Sequence, residues 1–191
     1  MTDPAGGVTT RLFDNMGNAL RETVDPGGLN LQTVYTYDAR GNVLTVTSPA
    51  GGVTQYVYDA QGRRTQERVD PAVLNLTRTW SYDRNGNAIT STDARGNVTR
   101  YAYDANDRLV FTVDPLGNVS QIVYDAAGRI VKTTAYAAPI ALAGLSASAG
   151  VAEIQSRLVG HAAQDRVEHR VYDRDGRLAA HVIAELGLDH R

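Results

Sequence analysis

One phrase recurs along the chain and constrains the fold more than any single residue does. Residues 97–117 contain two extended segments and two turns, and Asn118-Val-Ser-Gln-Ile-Val-Tyr-Asp-Ala-Ala-Gly-Arg-Ile130 begins the same phrase again. Repetition at a fixed length indicates units that stack on their neighbours. The sequence therefore says more about an architecture than about a reaction, because no cluster of residues is typical of an active site.

Turn openings divide the chain into short segments. An Asp, once a Ser, opens each turn at intervals of mostly 10 or 11 residues and twice 13, at Asp3, Asp14, Asp25, Asp38, Ser48, Asp59, Asp70, Asp83, Asp93, Asp104, Asp114 and Asp125. The residues between turns are rich in Val, Thr and Tyr and mostly alternate. This pattern predicts a mostly β chain, an antiparallel meander of hairpins that curls as part of a β-strip.

One class of turn has a fixed composition of an aromatic residue, Asp, two variable residues, Gly and then Arg. The Asp side chain can accept a hydrogen bond from the backbone two residues on. The Gly can take the left-handed conformation of a three-residue loop with a G1 bulge. Asp107 holds the Gly position once, and Asn18, Asn42 and Asn87 hold the Arg position. The motif residues are Phe13, Asp14, Gly17, Tyr37, Asp38, Gly41, Tyr58, Asp59, Gly62, Arg63, Tyr82, Asp83, Gly86, Tyr103, Asp104, Arg108, Tyr124, Asp125, Gly128, Arg129, Tyr172, Asp173, Gly176 and Arg177.

This turn type fixes the strand register. We expect the turn aromatic to face the residue six positions later, as in Tyr37 with Val43, Tyr58 with Arg64, Tyr82 with Ala88, Tyr103 with Leu109, Tyr124 with Ile130 and Tyr172 with Leu178. One step nearer the loop, Asp59 should oppose Arg63, Asp104 Arg108, Asp125 Arg129 and Asp173 Arg177. Such cross-strand pairs contribute roughly 0.2–1 kcal/mol each.

Aromatic residues occupy two positions of the repeat. Seven precede a turn Asp, and Tyr35, Tyr56, Trp80 and Tyr101 lie two residues earlier, on the same face of the strand. With only two Phe in the chain, this tyrosine face is predicted to be the main apolar layer, with hydroxyls that need a partner or water.

Two repeats have 24 residues instead of 21, and their related inserts, residues 28–33 and 73–78, are expected to lengthen a hairpin arm. The turn at Asp70 lacks Gly and should be longer or different. The repeat stops after Tyr136. We expect residues 1–136 to form a repeat strip, 137–164 an Ala-rich insert, and 165–191 a resumed, truncated repeat.

The insert is predicted to contain one helix of about three turns. Val151, Ile154, Leu158 and Ala162 share a stripe, Ser148 is placed to cap its start, and Gly160 weakens its far end. The helix should pack on the sheet or plug its open end.

The composition of the chain limits which binding partners are expected. The net charge of −2 gives no electrostatic reason to expect nucleic acid, and no apolar run approaches a membrane span. The absence of Cys rules out disulfides and thiolate metal sites. Residues 3–6 match the turn at 114–117, so we expect the chain to be a segment of a longer protein, with neighbouring repeats or other copies of itself as partners.

Tyr124-Asp-Ala-Ala-Gly-Arg-Ile130 resembles the YD-repeat or Rhs family, as does the Asp-Pro-x-Gly-Asn of residues 114–118. Tyr58-Asp-Ala-Gln-Gly-Arg63 fits the pattern up to Arg64, where an aliphatic residue is expected. The resemblance covers the chain except for residues 137–164. It implies a strip of hairpins that spirals into a hollow shell, secreted or at the surface of a bacterium. In bacterial Rhs proteins and toxin-complex cocoons the shell encloses a toxin, and in teneurins the repeats form an adhesion module.

Rival chemistries have weaker support. Asp83-Arg-Asn-Gly-Asn87 and Asp173-Arg-Asp-Gly176 echo the start of a calcium loop, but the spacing of Gly86 and Ala94 does not fit an EF-hand. The family's cleavage motif is partly matched by Asp114-Pro115, a dipeptide that recurs at other turns. Paired carboxylates for glycoside hydrolysis are conceivable, and His161, His169, His181 and His190 show no ligand spacing. We therefore expect no catalysis, no cofactor and no metal.

Two readings of function remain. The first is a structural segment of a shell that encloses or presents a toxin or effector. The alternative is a carbohydrate- or protein-binding adhesion module that uses Tyr35, Tyr37, Tyr56, Tyr58, Tyr101 and Tyr103 as a platform. Burial of these rings should separate the two.

Overall fold

The fold is known from a computed structural model that describes residues 7–159 and 164–184. Within these ranges the chain forms fourteen strands and one helix. In chain order they are β1 Thr9–Phe13, β2 Ala19–Val24, β3 Leu31–Tyr37, β4 Val43–Thr47, β5 Val53–Tyr58, β6 Arg64–Val69, β7 Leu76–Tyr82, β8 Ala88–Thr92, β9 Val98–Tyr103, β10 Leu109–Val113, β11 Val119–Tyr124, β12 Ile130–Ala135, α1 Val151–Arg157, β13 Arg166–Tyr172 and β14 Leu178–Ala184. The turn expected at residues 3–6 lies outside the described ranges. In the same ranges, no helix has the length and apolar character needed to cross a bilayer.

Each strand follows its chain neighbour in an antiparallel meander, which confirms the predicted fold class. The chain divides into two compact units, Met1–Trp80 and Ser81–Arg191, here called the first and second unit. The first pairs β1 through β7 in sequence, and the second pairs β8 through β14. The division into repeat strip, insert and resumed repeat stays a prediction.

The predicted register is confirmed at five Tyr-Asp turns. Tyr37 faces Val43, Tyr58 Arg64, Tyr103 Leu109, Tyr124 Ile130 and Tyr172 Leu178. One step nearer the loop, the backbone N–H of each turn Asp donates to the carbonyl of the residue four positions on, at 3.0 Å for Asp59 and 2.9 Å for Asp173. The pairing of Tyr82 with Ala88 stays a prediction.

A second bulge, absent from the predictions, follows each of these five turns and the turn at Asp14. The returning strand skips one residue immediately after the opening pair, at Leu20, Leu44, Thr65, Val110, Val131 and Ala179. The hairpins that turn at Ser48, Asp93 and Asp114 show no such shift. Because a bulge bends its strand and increases its local twist, the two ends of the repeat have different geometry.

The inserts of the 24-residue repeats lengthen a hairpin arm, as predicted, and also enlarge its loop: β2 and β3 have six and seven residues against five and six in β4 and β5. Residues 25–30 and 70–75 form six-residue loops, closed by the Val24–Leu31 and Val69–Leu76 pairs. The first and last residues of each loop have positive φ, near 50°. Asp and Asn tolerate this region better than other side chains, which explains why both loops begin with Asp and end with Asn.

In the second unit the buried core lies on the face opposite the tyrosines, so the prediction that the tyrosine face is the main apolar layer was wrong there. In the first unit the tyrosines are half-buried, and Val34, Leu44 and Val57 on the other face are exposed. In the second unit Phe111, Val113 and Val119 are almost fully buried, and Phe111 pairs with Ala102, which lies between Tyr101 and Tyr103 on β9. Alternate strand residues point to opposite faces, so the core occupies the face away from these rings. The insert covers it with Ile140, Leu145, Ala149 and Ile154.

The helix is shorter than predicted. It spans Val151–Arg157, its N-cap is Gly150 and not Ser148, and no side chain caps it. Ile154 is fully buried, with Val151 and Leu158 packed around the same core. Arg157 donates to the carbonyls of Ala141, Ala143 and Gly144, which fixes the preceding loop. Gly160, Ala162 and the predicted helix end lie outside the described residues.

The insert is an enlarged hairpin loop. The strands on either side of it, β12 and β13, pair directly, ending in Ala135 with Arg166. Asp165 is buried and its Oδ1 accepts the N–H of Ala137 at 2.8 Å, which joins the two ends of the excursion. Ile140 N–H donates to the carbonyl of Gly117 at 2.8 Å. The insert therefore leaves the strand pairing intact.

The docking of the insert can be tested with two glycines of similar backbone conformation. Gly117 and Gly96 have φ of 90° and 85°, but a Cβ at Gly117 would lie 2.4 Å from the Ile140 carbonyl oxygen, whereas at Gly96 nothing lies within 4 Å. We expect Gly96→Ala to show only the cost of left-handed strain, roughly 1 kcal/mol, and Gly117→Ala to be clearly more destabilising in urea. Equal losses would contradict the predicted clash.

Candidate functional site: the stacked Tyr-Asp turns

Each turn Asp organises its own loop through both carboxylate oxygens. At Asp38, Oδ1 accepts the backbone N–H groups of Arg40 and Asn42, each at 2.9 Å, and Oδ2 accepts Asn42 Nδ2 at 2.8 Å. The Gly in the fourth position takes positive φ, as in Gly41 at 85°. A carboxylate that accepts three donors within five residues explains why the turn requires Asp and why its partner is Asn or Arg.

Arg takes the Asn role in three turns, as the register predicts. The Nε–Oδ2 distance is 2.7 Å from Arg63 to Asp59 and from Arg129 to Asp125, and Arg108 Nη2 lies 2.7 Å from Asp104 Oδ2. The last turn differs in its side chains, because Arg177 Nη1 forms its ion pair with Asp175 Oδ2 at 3.5 Å, although the backbones of Arg177 and Asp173 oppose as predicted.

In four hairpins the tyrosine hydroxyl is hydrogen bonded to the backbone of the hairpin before it. Tyr37 donates to the carbonyl of Ala19 at 2.8 Å, Tyr103 to Ala88 at 3.0 Å, Tyr124 to Leu109 at 2.9 Å and Tyr172 to Ile130 at 3.0 Å. Each acceptor lies five residues after the turn Asp of the preceding hairpin. The sequence shows that the hydroxyl needs a partner, but a backbone acceptor has no residue signature, so these carbonyls were missed.

The turn Arg makes a second contact between consecutive hairpins, this time from the earlier hairpin to the later one. Arg108 lies 4.6 Å from the ring centroid of Tyr124, and Arg129 lies 4.7 Å from that of Tyr172. A guanidinium held by its own turn Asp therefore stacks on the tyrosine of the next hairpin, a cation–π contact. We call this combination of carboxylate, guanidinium, ring and carbonyl the turn interlock.

Ionisation follows these contacts. Hydrogen bonds from the Asn18, Asn42 and Asn97 side chains lower the pKa of Asp14, Asp38 and Asp93 below the usual 3.8. Burial raises the pKa of the Tyr37 and Tyr103 phenols, helped by the neighbouring Tyr35 and Tyr101. Near neutral pH the Asp residues are therefore charged acceptors and the Tyr hydroxyls remain donors.

Burial does not separate the two functional readings cleanly. The six platform tyrosines are all half-buried, including Tyr35, Tyr56 and Tyr101. The hydroxyls of Tyr37 and Tyr103 are engaged with backbone, and that of Tyr101 lies 3.2 Å from Ser91 Oγ. Polar groups already used within the sheet favour a structural role for this face.

Arg64 marks the one departure from the aliphatic position, and it builds a local cluster. Its guanidinium lies 4.7 Å from the Trp80 ring centroid and 5.5 Å from that of Tyr56. Its Nη1 also lies 3.0 Å from Glu67 Oε2. The ion pair and the two rings let a cation replace an apolar side chain on a half-buried face.

Among the described residues, the candidate calcium, carboxylate and histidine sites of the sequence analysis are not brought together. Asp83 and Asp173 accept backbone N–H groups of their own turns, as Asp38 does, and so does Asp114, where Leu116 and Asn118 are the donors. His169 pairs with Val182, so it faces away from the neighbouring His181, whose Nε2 lies 3.4 Å from Glu168. His161 and His190 lie outside the described residues. Within the described ranges, no group of three acidic or His side chains is placed to hold a metal.

These features define a β-hairpin repeat protein whose turns interlock from one hairpin to the next. Residues 17–53, 37–72 and 82–119 match the family described as RHS Repeat. The chain belongs to this RHS-repeat family. None of the curated proteins matches it in sequence.

Solved structures of Tc toxin proteins share the fold. The Photorhabdus luminescens Tc holotoxin pore, carrying a TccC3 mutation, matches with a TM-score of 0.59 and 15% identity over 98% of this chain and 13% of that one. TcdB2-TccC3 without its hypervariable C-terminal region matches with a TM-score of 0.51 and 15% identity, over 93% of this chain and 11% of that one. TcdB2-TccC3-Cdc42 matches with 0.50 and 16% identity, over 94% and 11%. The chain thus spans 11% to 13% of the length of these structures, and the likeness establishes the fold alone.

The tyrosine tie can be measured by removing one oxygen atom. Tyr37→Phe deletes the donor to the Ala19 carbonyl, and we expect it to lower the free energy of unfolding by about 1 kcal/mol. Tyr35→Phe is the matched control, because Tyr35 lies on the same strand and face and its hydroxyl makes no hydrogen bond with the described residues. Urea denaturation checks both variants, and equal effects would remove the tie as the cause.

Acid should weaken the interlock in a defined window. Because the folded pKa of Asp14, Asp38 and Asp93 is lower than the unfolded value of 3.8, their contribution is complete above about pH 4 and lost as pH falls through the folded values. We expect the urea midpoint to fall steeply below that pH. Asp38→Asn should lower the midpoint at neutral pH and flatten the acid decline. A wild-type midpoint that stays constant in acid would contradict this.

Proposed function

We propose that the chain is a structural segment of an RHS-repeat scaffold, part of a β-shell wall that encloses or presents a toxin or effector and has no catalysis of its own. The observation that carries this is the turn interlock. The Asp, Tyr and Arg side chains that recur in the sequence are engaged in holding one hairpin to the next. A carboxylate that serves its own loop is poorly placed to exchange protons with a substrate.

The fold and length of the similar structures support the same proposal. The chain matches a small part of much larger Tc toxin chains over nearly its whole length. A wall segment needs contacts mainly with its neighbours, which is how repeat proteins distribute their stability. The partners would then be neighbouring repeats of a longer chain or other copies, with an enclosed toxin domain, in a protein secreted by or displayed on a bacterium.

The alternative function is carbohydrate or protein binding at the tyrosine face. The Arg64 cluster favours it, because Trp80 and Tyr56 are half-buried and hold a guanidinium that remains partly exposed, at 43% of its side-chain area. A glycan array probed with the chain and with Trp80→Ala tests this reading. Binding that is lost in the variant would support it, and no binding would leave the scaffold as the better account.

Enclosure can be tested by proteolysis of the full-length protein that contains these repeats. We expect segments outside the repeats to resist protease in the native protein and to become cleavable in a double variant, Tyr37→Phe with Tyr103→Phe, that weakens the interlock. The control is Tyr35→Phe with Tyr101→Phe, which keeps the ties to backbone. If the segments that lie outside the repeats in sequence are cut equally fast in the native protein, the double variant and the control, the repeats do not enclose them.

A further inference from the structure

Asn85 and Gly86 form the only Asn-Gly pair in the sequence, and such a pair carries its own chemistry. The backbone nitrogen of Gly attacks the side-chain carbonyl carbon of Asn, a C–N bond forms, and ammonia leaves. The cyclic succinimide then takes up one water and opens to Asp or isoaspartate. No cofactor is required, and the missing Gly side chain removes the steric hindrance that slows other pairs.

In this turn the nucleophile is hydrogen bonded. The N–H of Gly86 donates to Asp83 Oδ1 at 2.9 Å. The same N–H also lies 3.3 Å from the backbone carbonyl oxygen of Asp83. Attack requires the Gly86 nitrogen to lose the proton that it donates to an anion. A neighbouring negative charge disfavours that loss.

The electrophile is held by a different turn. Asn85 Nδ2 donates to Asp107 Oδ1 at 2.7 Å, and Asn87 Nδ2 donates to the same oxygen at 2.7 Å. Asp107 occupies the Gly position of the next Tyr-Asp turn, with φ of 59°. The residue that breaks the repeat pattern therefore anchors the reactive side chain of the preceding hairpin.

We propose that Asn85 is a site of spontaneous deamidation that is protected in the folded chain. Asn85 forms a succinimide with Gly86 only when its turn separates from Asp107. The Asp or isoaspartate produced then keeps the two turns apart. Deamidation replaces a donor by a carboxylate at the position 2.7 Å from Asp107 Oδ1, and two like charges repel there. Isoaspartate also lengthens the backbone of a turn that is closed by Gly86. The reaction is thus an irreversible modification that marks chains in which the turns at residues 83–87 and 104–108 have separated.

The gating is tested by deamidation rates in the complete chain at neutral pH. Mass spectrometry of the digested chain follows conversion of the fragment that contains Asn85. A synthetic peptide of residues 82–87 gives the deamidation rate in the absence of folded structure. We expect the folded chain to react about tenfold slower than the peptide, or slower still, because reaction waits for local opening. Urea should raise the rate of the chain to that of the peptide. A folded chain that deamidates as fast as the peptide would overturn the proposal.

The role of Asp107 is tested with Asp107→Ala, which should accelerate deamidation several-fold. Asp107→Asn keeps a side chain that tolerates positive φ, and should give an intermediate rate even if the Ala variant proves unstable. Asp175→Ala is the control, since this exposed carboxylate pairs with Arg177 and its loss also removes the chain's Asp-Gly pair. An unchanged rate in folded Asp107→Asn and Asp107→Ala variants would exclude the anchor.

The consequence of the product is tested separately. Asn85→Asp should lower the urea midpoint more than Asn85→Ala, because it adds a charge as well as removing a donor. In an Asp107→Asn background the difference between the two should disappear. If Asn85→Asp is tolerated as well as Asn85→Ala in the native background, the product does not force the turns apart.

Discussion

The structure depends on a hydroxyl that reaches from one hairpin to the backbone of the hairpin before it. In the first unit Tyr37 makes this bond to Ala19, and in the second unit Tyr103, Tyr124 and Tyr172 make it at equivalent carbonyls. A two-stranded hairpin is marginal by itself in water. The tyrosine supplies both ring area and a fixed hydrogen bond to the preceding hairpin, so stability depends on pairs of neighbouring hairpins. Phe provides the area without the bond, which accounts for the prevalence of Tyr at this position.

The turn Asp makes that contact possible by fixing the geometry of its own loop. Three donors converge on one carboxylate, and the side chain of the fifth residue of the turn is thereby oriented. Arg108 and Arg129 occupy this position, and they stack on the following tyrosine at 4.6 Å and 4.7 Å. A local turn motif thus controls a contact some 16 or more residues away in sequence. The same argument explains why abundant Asp does not signal catalysis in this chain.

Much of this was predictable, because the turn motif determines register. The pairings of Tyr58 with Arg64 and of Asp59 with Arg63 follow from counting residues around a three-residue loop with a G1 bulge. The second bulge, at positions such as Leu44 and Val131, was not predictable from composition, because those positions carry ordinary strand residues. The tyrosine acceptors were missed for a related reason, since backbone carbonyls are present at every position.

In the second unit the core was assigned to the wrong face, because pattern alone does not show what covers a sheet. Phe111 lies outside both aromatic positions of the repeat, yet it is fully buried. Its burial depends on Ile140 and Ile154 from a segment that has no repeat pattern. Ser148 looked like a helix cap, but the N-cap is Gly150, and Ser148 lies in the preceding loop with its Oγ 3.2 Å from Ser146 Oγ.

The two ends of the repeat therefore have different tolerance for change. At the Tyr-Asp end, the carboxylate and guanidinium of one hairpin must keep their positions relative to the ring and hydroxyl of the next. An added residue would therefore break several contacts at once. At the other end, a six-residue loop replaces a tighter turn at residues 25–30, and an entire insert enters between Ala135 and Arg166 without disturbing their pairing. Variation confined to one end lets a strip change what it carries on its surface while its strand register stays constant. That separation suits a scaffold, because new segments can be added without rebuilding the interlock.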